Sequence, residues 1–433
     1  MGYRQRQQGF PAYPAGAAGG VGHVHVIGAG LAGIAAAVAL VDAGRTVTVW
    51  EAGPAGGGRA RSYDDKELGC RIDNGNHLWL SGNRTIAGFL RRIGAEHTLA
   101  GPTEACFPFF DMASGRRWTV RPNAGPVPWW ILAPGRTVPG ARLSEYAGLL
   151  TLLRAGPDAT VAECMRPGLL NDRLIEPLVI AALNTAPATG SARLMAAVMR
   201  ETLARGGAAC IPAFPKDGLS ATFIDPAMTA LEQAGASVRF GCRVTTLGMA
   251  QDRVRSLSTS QGDIEVAAGD AVVLAVPAPV AQSLLPGTTA PTAFESIVNL
   301  HYRCDANGGP AGFIGLIGTT AEWAFVKKGI VSVTISAANR LVDRSASDLS
   351  ATVWPEVSAA LHIQHPIPLW RVVKEKRATF AATPTENRKR PGTRTNLTNL
   401  VLAGDWTDTG LPATIEGAIR SGQTAAAALL HAA

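Results

Sequence analysis

An apolar run of Val24, Val26 and Ile27 gives way to a turn crowded with glycines, and apolar residues then dominate positions 34–43 until Gly44 interrupts them. That order predicts a strand, a tight turn and a helix. Positions 46–50 read as a second strand. Farther along, helices are expected over 143–153, 219–234 and 413–431, the last with Pro412 near its first turn. Strands are expected over 237–240, 243–247, 330–336 and 399–403, together with a short buried strand over 271–276 that Pro277 breaks. Strands and helices that alternate in this way predict an α/β chain. No apolar stretch reaches the roughly 20 residues that a membrane-spanning helix needs.

The first turn, Gly28-Ala29-Gly30-Leu31-Ala32-Gly33, has the spacing of a dinucleotide cradle. Gly28 allows the sharp turn off the strand, Gly30 lets a pyrophosphate approach the backbone, and Gly33 lets helix and strand pack closely. The free N–H groups and the dipole of the helix start then favour the anion. Glu51, at the end of the second strand, falls where an acid accepts ribose hydroxyls, which favours FAD or NAD over NADP.

With 433 residues, 47% of them hydrophobic, the chain can fill two or three domain cores. Only 17% are charged, against about 25% in a typical soluble domain, which points to a large buried apolar surface or to contact with something apolar. Residues 1–22, rich in Gly, Ala, Pro and Gln, lack the apolar centre of a secretory signal and read as a disordered leader, with a transit peptide or a misplaced start as alternatives. Six scattered cysteines, Cys70, Cys106, Cys164, Cys210, Cys242 and Cys304, offer no close pair of metal-ligand spacing. No metal is expected, and buried free thiols in a reducing, cytoplasmic setting are. The net charge of +7 is concentrated, because residues 371–394 hold eight basic side chains against Glu375 and Glu386. A solvated face, contact with an anionic leaflet of the inner membrane, and nearness to a cofactor pyrophosphate are all open readings of that segment. No nucleic-acid module accompanies it, so that partner is set aside.

A second glycine turn, Gly56-Gly57-Gly58-Arg59-Ala60-Arg61, follows the acid and would bring two guanidinium groups near a pyrophosphate, whose geometry arginine matches. Asp73-Asn74-Gly75-Asn76-His77 comes next, with Gly75 permitting close approach to a flat ring and His77 either a structural hydrogen bonder or a group on the substrate side. Near the other end stand Leu402-Ala403-Gly404-Asp405-Trp406-Thr407 and Thr409-Gly410-Leu411-Pro412-Ala413-Thr414-Ile415-Glu416-Gly417-Ala418. Together these stretches resemble the FAD-dependent amine oxidase and carotenoid desaturase superfamily. The later block is similar to one branch of it, the squalene-associated hydroxysqualene dehydroxylases of bacterial hopanoid synthesis. At Asn76 the chain departs from that branch, which carries Gln before the His.

The resemblance implies a Rossmann-type, glutathione-reductase-like FAD-binding domain with a mixed α+β substrate domain. The FAD domain would be discontinuous, built from 23–99, 210–290 and 395–433, and the substrate domain from 100–209 and 291–394. It implies cofactor contacts at Gly57, Gly58, Arg59, Arg61, Asn74 and Gly75, an adenine contact from the Val244 backbone, and ribityl and pyrophosphate contacts at Gly404 and Asp405. Pro412, Ala413 and Thr414 would present a helix start to the flavin pyrimidine carbonyl, where its dipole stabilises the anionic reduced ring. No cysteine follows Cys304, so FAD is expected to bind non-covalently. The implied reaction is reductive dehydroxylation of hydroxysqualene to squalene, a lipophilic isoprenoid chemistry, with His77 as candidate proton donor or relay and the electron donor to FAD unidentified. A phytoene-type desaturase or an amine oxidase on the same fold, and a non-catalytic isoprenoid-binding protein, are the rival readings. Phe107, Phe109, Phe110, Trp118, Trp129 and Trp130, followed by the 143–153 helix with Arg142 and Arg154 at its ends, are expected as a group to frame a tunnel mouth docked on a membrane, with ordinary core packing the alternative for any one of them.

Overall fold

Five short apolar strands run parallel in the order Ser237–Arg239, Thr46–Trp50, His23–Ile27, Ala271–Leu274, Leu400–Leu402 in the computed structural model, which describes residues 22–431. The expected leader lies outside the described residues except for Gly22. The three inner strands are buried along most of their length, as a parallel sheet covered on both faces requires. One cover is the helix Leu31–Asp42, whose residues from Leu31 to Leu40 are all buried, and against it lies the helix Ile415–Leu430. The two helices cross in backbone contact. A Cβ on Gly422 would stand 2.1 Å from the carbonyl oxygen of Ala32, so only glycine fits the crossing. This is a Rossmann-type α/β layer.

A second sheet of seven strands stands beside it, in the order Trp370–Phe380, Phe294–Tyr302, Ile330–Ile335, Trp323–Lys327, Phe313–Ile317, Phe107–Asp111, Arg116–Val120. All neighbours are antiparallel except Phe313–Ile317 with Phe107–Asp111. The period of two sorts its side chains. Val298, Leu300, Tyr302, Val331, Val333 and Ile335 share one core with the helix Ala346–Leu361. Phe107, Phe109, Trp118, Phe313, Trp323 and Phe325 belong to a different core on the opposite face. There Phe109 stacks on Trp118 at 5.6 Å and meets Trp323 edge-on at 5.5 Å.

Several expected elements take a different form. The helix expected over 219–234 is a π-turn, Ser220–Ile224, followed by the helix Asp225–Gln233. The two run on without interruption, so the expected helix is present with a π segment in its first half, beside Pro226, which has no N–H to donate. The expected 143–153 helix is likewise a tight helical turn, Leu143–Tyr146, leading into Ala147–Leu153. The aromatic cluster is not a rim: Phe107, Phe109, Phe110, Trp118 and Trp130 are buried, and Trp129 alone of the six is exposed. Four of the cysteines are buried free thiols, whereas Cys70 and Cys304 are half-buried.

Most of the basic segment is paired within the molecule, although Lys376, Arg377, Arg388 and Arg394 remain exposed. Arg371 pairs with Asp65 and Glu67, Lys376 with Asp343, Arg388 with Asp158 and Lys389 with Glu386. Lys374 donates to the Arg344 carbonyl, Arg377 lies over Phe294, and Arg394 donates to the Ala428 carbonyl. Arg390 is buried and donates to the carbonyls of Asp405 and Thr407. Desolvation pulls its guanidinium down to about 10. Among the described residues no helix is long and apolar enough to cross a membrane.

Candidate active site

The cradle is built as its glycines predict. Gly28 holds φ at +103°, and a Cβ there would lie 2.5 Å from the Ala275 carbonyl oxygen of the neighbouring strand. A Cβ on Gly33 would lie 2.0 Å from the Gly28 oxygen, so helix and turn touch through backbone. A Cβ on Gly30 would meet no described atom within 4 Å. The two outer glycines therefore close the turn while the middle one faces open space. That is the room a pyrophosphate laid along the turn requires, and the site fits a dinucleotide.

Glu51 sits at the mouth of this turn. Its two carboxylate oxygens accept from Ala29 N at 2.8 Å and Gly53 N at 2.7 Å. Its own carbonyl accepts from Cys242 N, which brings the strand Val244–Ala250 alongside, with the Val244 side chain buried. The second glycine turn folds over the first: Gly57 N donates to the Ala29 carbonyl at 2.7 Å, and a Cβ on Gly58 would lie 3.4 Å from the Gly30 Cα.

The two arginines of that turn part company. Arg59 Nη2 donates to both oxygens of Asp405, and its other terminal nitrogen donates to the Ala378 carbonyl. Desolvation works against the Arg59 charge, but Asp405 outweighs it and holds the guanidinium above its usual range. Arg61 is exposed and contributes its carbonyl to Asn74 N at 2.9 Å. Asn74 also donates to the Arg59 carbonyl at 3.2 Å, so the loop before His77 is fastened to the second turn.

From Asn74 the network crosses to the seven-stranded sheet. Asn299 donates to the Asn74 carbonyl at 3.1 Å and accepts from Thr334 Oγ1 at 2.8 Å, and Asn76 donates to the same Thr334 hydroxyl at 3.1 Å. Thr334 is the cross-strand neighbour of both Asn299 and Trp323. The polar loop and the aromatic face therefore meet at one point. Below the loop, Lys327 Nζ lies 2.6 Å from Asp73, whose other oxygen accepts from Ser62 Oγ and Leu219 N. Burial would raise the Asp73 carboxyl, yet Lys327 prevails and lowers it.

His77 lies in the field of these charges. Burial, reinforced by Lys327 and Arg59 and only partly opposed by Asp73, pushes its pKa down to about 4. The imidazole is neutral at ordinary pH. His301, a buried neighbour in that sheet, is likewise pushed to about 4 by burial, with Ser332 Oγ 2.7 Å from its Nδ1. Asn299, His301, Thr334 and Lys327 were not singled out from the sequence. The signal was there for two of them: Asn299 and His301 alternate with Val298, Leu300 and Tyr302 along one strand, which marks a polar face.

At the far end, Gly404 N donates to Ser421 Oγ at 2.9 Å, tying the turn before Asp405 to the last helix. Thr414 caps that helix, accepting from Gly417 N at 3.1 Å, with Pro412 and Ala413 just outside it. Glu416, 2% exposed, accepts from Thr85 N and Ile86 N at the start of the helix Arg84–Arg92 and from Arg420, which also grips Glu201. The helix start proposed to face a flavin ring is thus anchored from behind.

The profile of the flavin containing amine oxidoreductase family matches residues 31–306 and 317–430. The chain is 46% identical over 410 residues to the hydroxysqualene dehydroxylase of Rhodopseudomonas palustris, covering 94% of this chain and 98% of the relative. It is 43% identical over 403 residues to that of Zymomonas mobilis, covering 93% and 97%. Among solved structures, an oxidoreductase from Methanosarcina mazei shares the fold with a TM-score of 0.72 at 15% identity, over 93% of this chain and 99% of that one.

Proposed function

The chain belongs to the flavin containing amine oxidoreductase family and, within it, to the hydroxysqualene dehydroxylases, and from that premise we propose that it reduces hydroxysqualene to squalene on a non-covalently held FAD. The observation that carries the reading is near-full-length identity of 46% to such a relative. The desaturase and amine oxidase readings keep the fold but lack that identity.

When bound, the flavin supplies a hydride to the allylic carbon, and a proton takes the departing hydroxyl away as water. The chain's own residues hold, orient and shield. Glu51 would accept the ribose hydroxyls and the start of Leu31–Asp42 would receive the pyrophosphate. The Arg59–Asp405 pair, Asn74 and Gly75 would flank the remainder, and the anchored start of Ile415–Leu430 would stabilise negative charge on the ring. The buried aromatic face around Phe109, Trp118, Phe313, Trp323 and Phe325 would suit an unsaturated hydrocarbon and would keep water from the electron-poor carbon. His77, neutral by burial, would donate an N–H hydrogen bond to the leaving oxygen or relay a proton rather than store one as imidazolium. An external donor must re-reduce FAD between turnovers, and the substrate's greasiness places the work beside a bilayer.

The test is product identity. Reduced, FAD-loaded protein given 12-hydroxysqualene should yield squalene on extraction. Unchanged alcohol, with phytoene desaturated by the oxidised protein instead, would overturn the reading.

A further inference from the structure

Five of the six aromatics expected to touch a membrane turn inward, but Trp129 stays at the surface within a larger exposed apolar patch. Leu132, Leu150, Leu143 and Trp129 are 66%, 57%, 55% and 52% exposed, and Val127 and Leu169 are exposed with them. They belong to one small unit. Arg121 and Arg136 exchange hydrogen bonds, Arg136 lies over the Trp129 ring at 5.1 Å, and the adjacent Trp130 packs edge-on against Tyr146. Glu145 then accepts from Arg142 N and Leu170 N, drawing Leu143 and Leu169 together, and Leu150 follows two helical turns after Leu143. The tip is rigid, because buried Asn123 holds the Gly125 and Val127 carbonyls and accepts from Trp130 N.

The charges along residues 121–157, which carry most of the patch, are nearly all positive. Residues 121–157 contain Arg121, Arg136, Arg142 and Arg154 and a single acid, Glu145. Glu145 is buried with its oxygens on backbone N–H groups, so it offers no negative charge to the surface. We propose that this face is where the protein sits on an anionic bilayer, with the leucines and Trp129 in the interface and the arginines among the headgroups. Exposed apolar side chains fringed by cations are what such an interface selects. A second copy is a poor occupant, since a two-fold contact sets the same patch against itself and would oppose arginine to arginine. In the segment 371–394, the other candidate for lipid contact, Arg371, Lys376, Arg388 and Lys389 each already face an acid of this chain. The inference rests on the proposed lipid substrate for its purpose, but not for its test.

The test is sedimentation of the FAD-loaded full chain with vesicles of phosphatidylcholine alone or mixed with phosphatidylglycerol. The wild type should bind the mixed vesicles, and added salt should weaken binding. Leu132→Asp with Leu150→Asp should reduce partition by about tenfold or more. Arg142→Gln and Arg154→Gln should each reduce it about fivefold and flatten the salt dependence. All three variants should turn over 12-hydroxysqualene in detergent micelles as the wild type does. Loss of turnover in the wild type with vesicle binding intact would strike the proposed reaction and leave the surface standing. Equal vesicle binding by wild type and variants, no wild-type binding, or a dimer in ultracentrifugation that Leu132→Asp dissociates would overturn the docking surface.

Discussion

Arg59 Nη2 holds both carboxylate oxygens of Asp405, at 2.6 and 2.7 Å, although 346 residues separate the two in the chain. The pair closes the second glycine turn onto the last strand-to-helix turn, and it joins two of the widely separated segments proposed to frame the cofactor site. Asp405 is buried, whereas the Arg59 side chain is 39% exposed, so solvent screens part of the interaction.

Replacing Arg59 with Ala strands a buried carboxylate. The full cost of such a break is about 3–5 kcal/mol in a dry interior, and the exposure of Arg59 lowers the expectation to about 1–3 kcal/mol. Arg59→Lys should recover part of it. Urea unfolding of the apoprotein measures both, and an unchanged midpoint in Arg59→Ala would show that the pair contributes nothing.

The glycines of the first turn should separate by readout. Gly33→Ala drives a methyl into the Gly28 oxygen at 2.0 Å and should cost at least about 2 kcal/mol of stability. Gly30→Ala meets open space and should fold normally, yet it should weaken FAD binding by about tenfold or more because the methyl occupies the place reserved for the pyrophosphate. Thermal melting and fluorescence titration with FAD, made on both variants, distinguish the roles.

Glu51→Ala removes the acceptor at the mouth of the turn. FAD affinity should fall by roughly tenfold to a hundredfold, the range of a hydrogen bond to a charged group. Part of any stability loss will come from the freed N–H groups of Ala29 and Gly53, so affinity must be measured well below the melting temperature. An unchanged affinity would remove Glu51 from the ribose.

Acid should destabilise the fold through three desolvated imidazoles, which outnumber the one carboxyl, Glu322, that desolvation raises to about 7 and that opposes them across the same range. His25, His77 and His301 are each lowered from 6.5 to about 4, in every case first by burial. Between those values the unfolded chain takes up protons that the folded chain refuses, so stability rises with pH across that window and is lost as pH falls from 6.5 toward 4. Urea unfolding at pH 7 and at about pH 5 should show this slope, and His301→Asn should flatten it.

What the sequence disclosed was whatever lies close together along it. The cradle, Glu51, the second glycine turn and the cap at Thr414 are local patterns whose geometry follows from a few adjacent residues. Faces and distant pairings were hidden. Phe109 and Phe110 are neighbours in sequence, but a strand sends them to opposite sides of the sheet, one onto Trp118 and the other beneath Arg117. The segment 371–394 looked like free charge because its partners Asp65, Asp158 and Asp343 lie far upstream. For the same reason the sequence does not assign Lys327 to Asp73 or Asn299 to the loop before His77, because only the fold brings the seven-stranded sheet against residues 73–77.

The central claim is the direction and product of hydride transfer, and one anaerobic single turnover tests it. The FAD-loaded protein is reduced to completion, mixed with 12-hydroxysqualene, and followed by its visible spectrum while samples are extracted. Reoxidation of the flavin with one squalene formed per flavin is the result predicted. A flavin that stays reduced while the alcohol is recovered unchanged would contradict it.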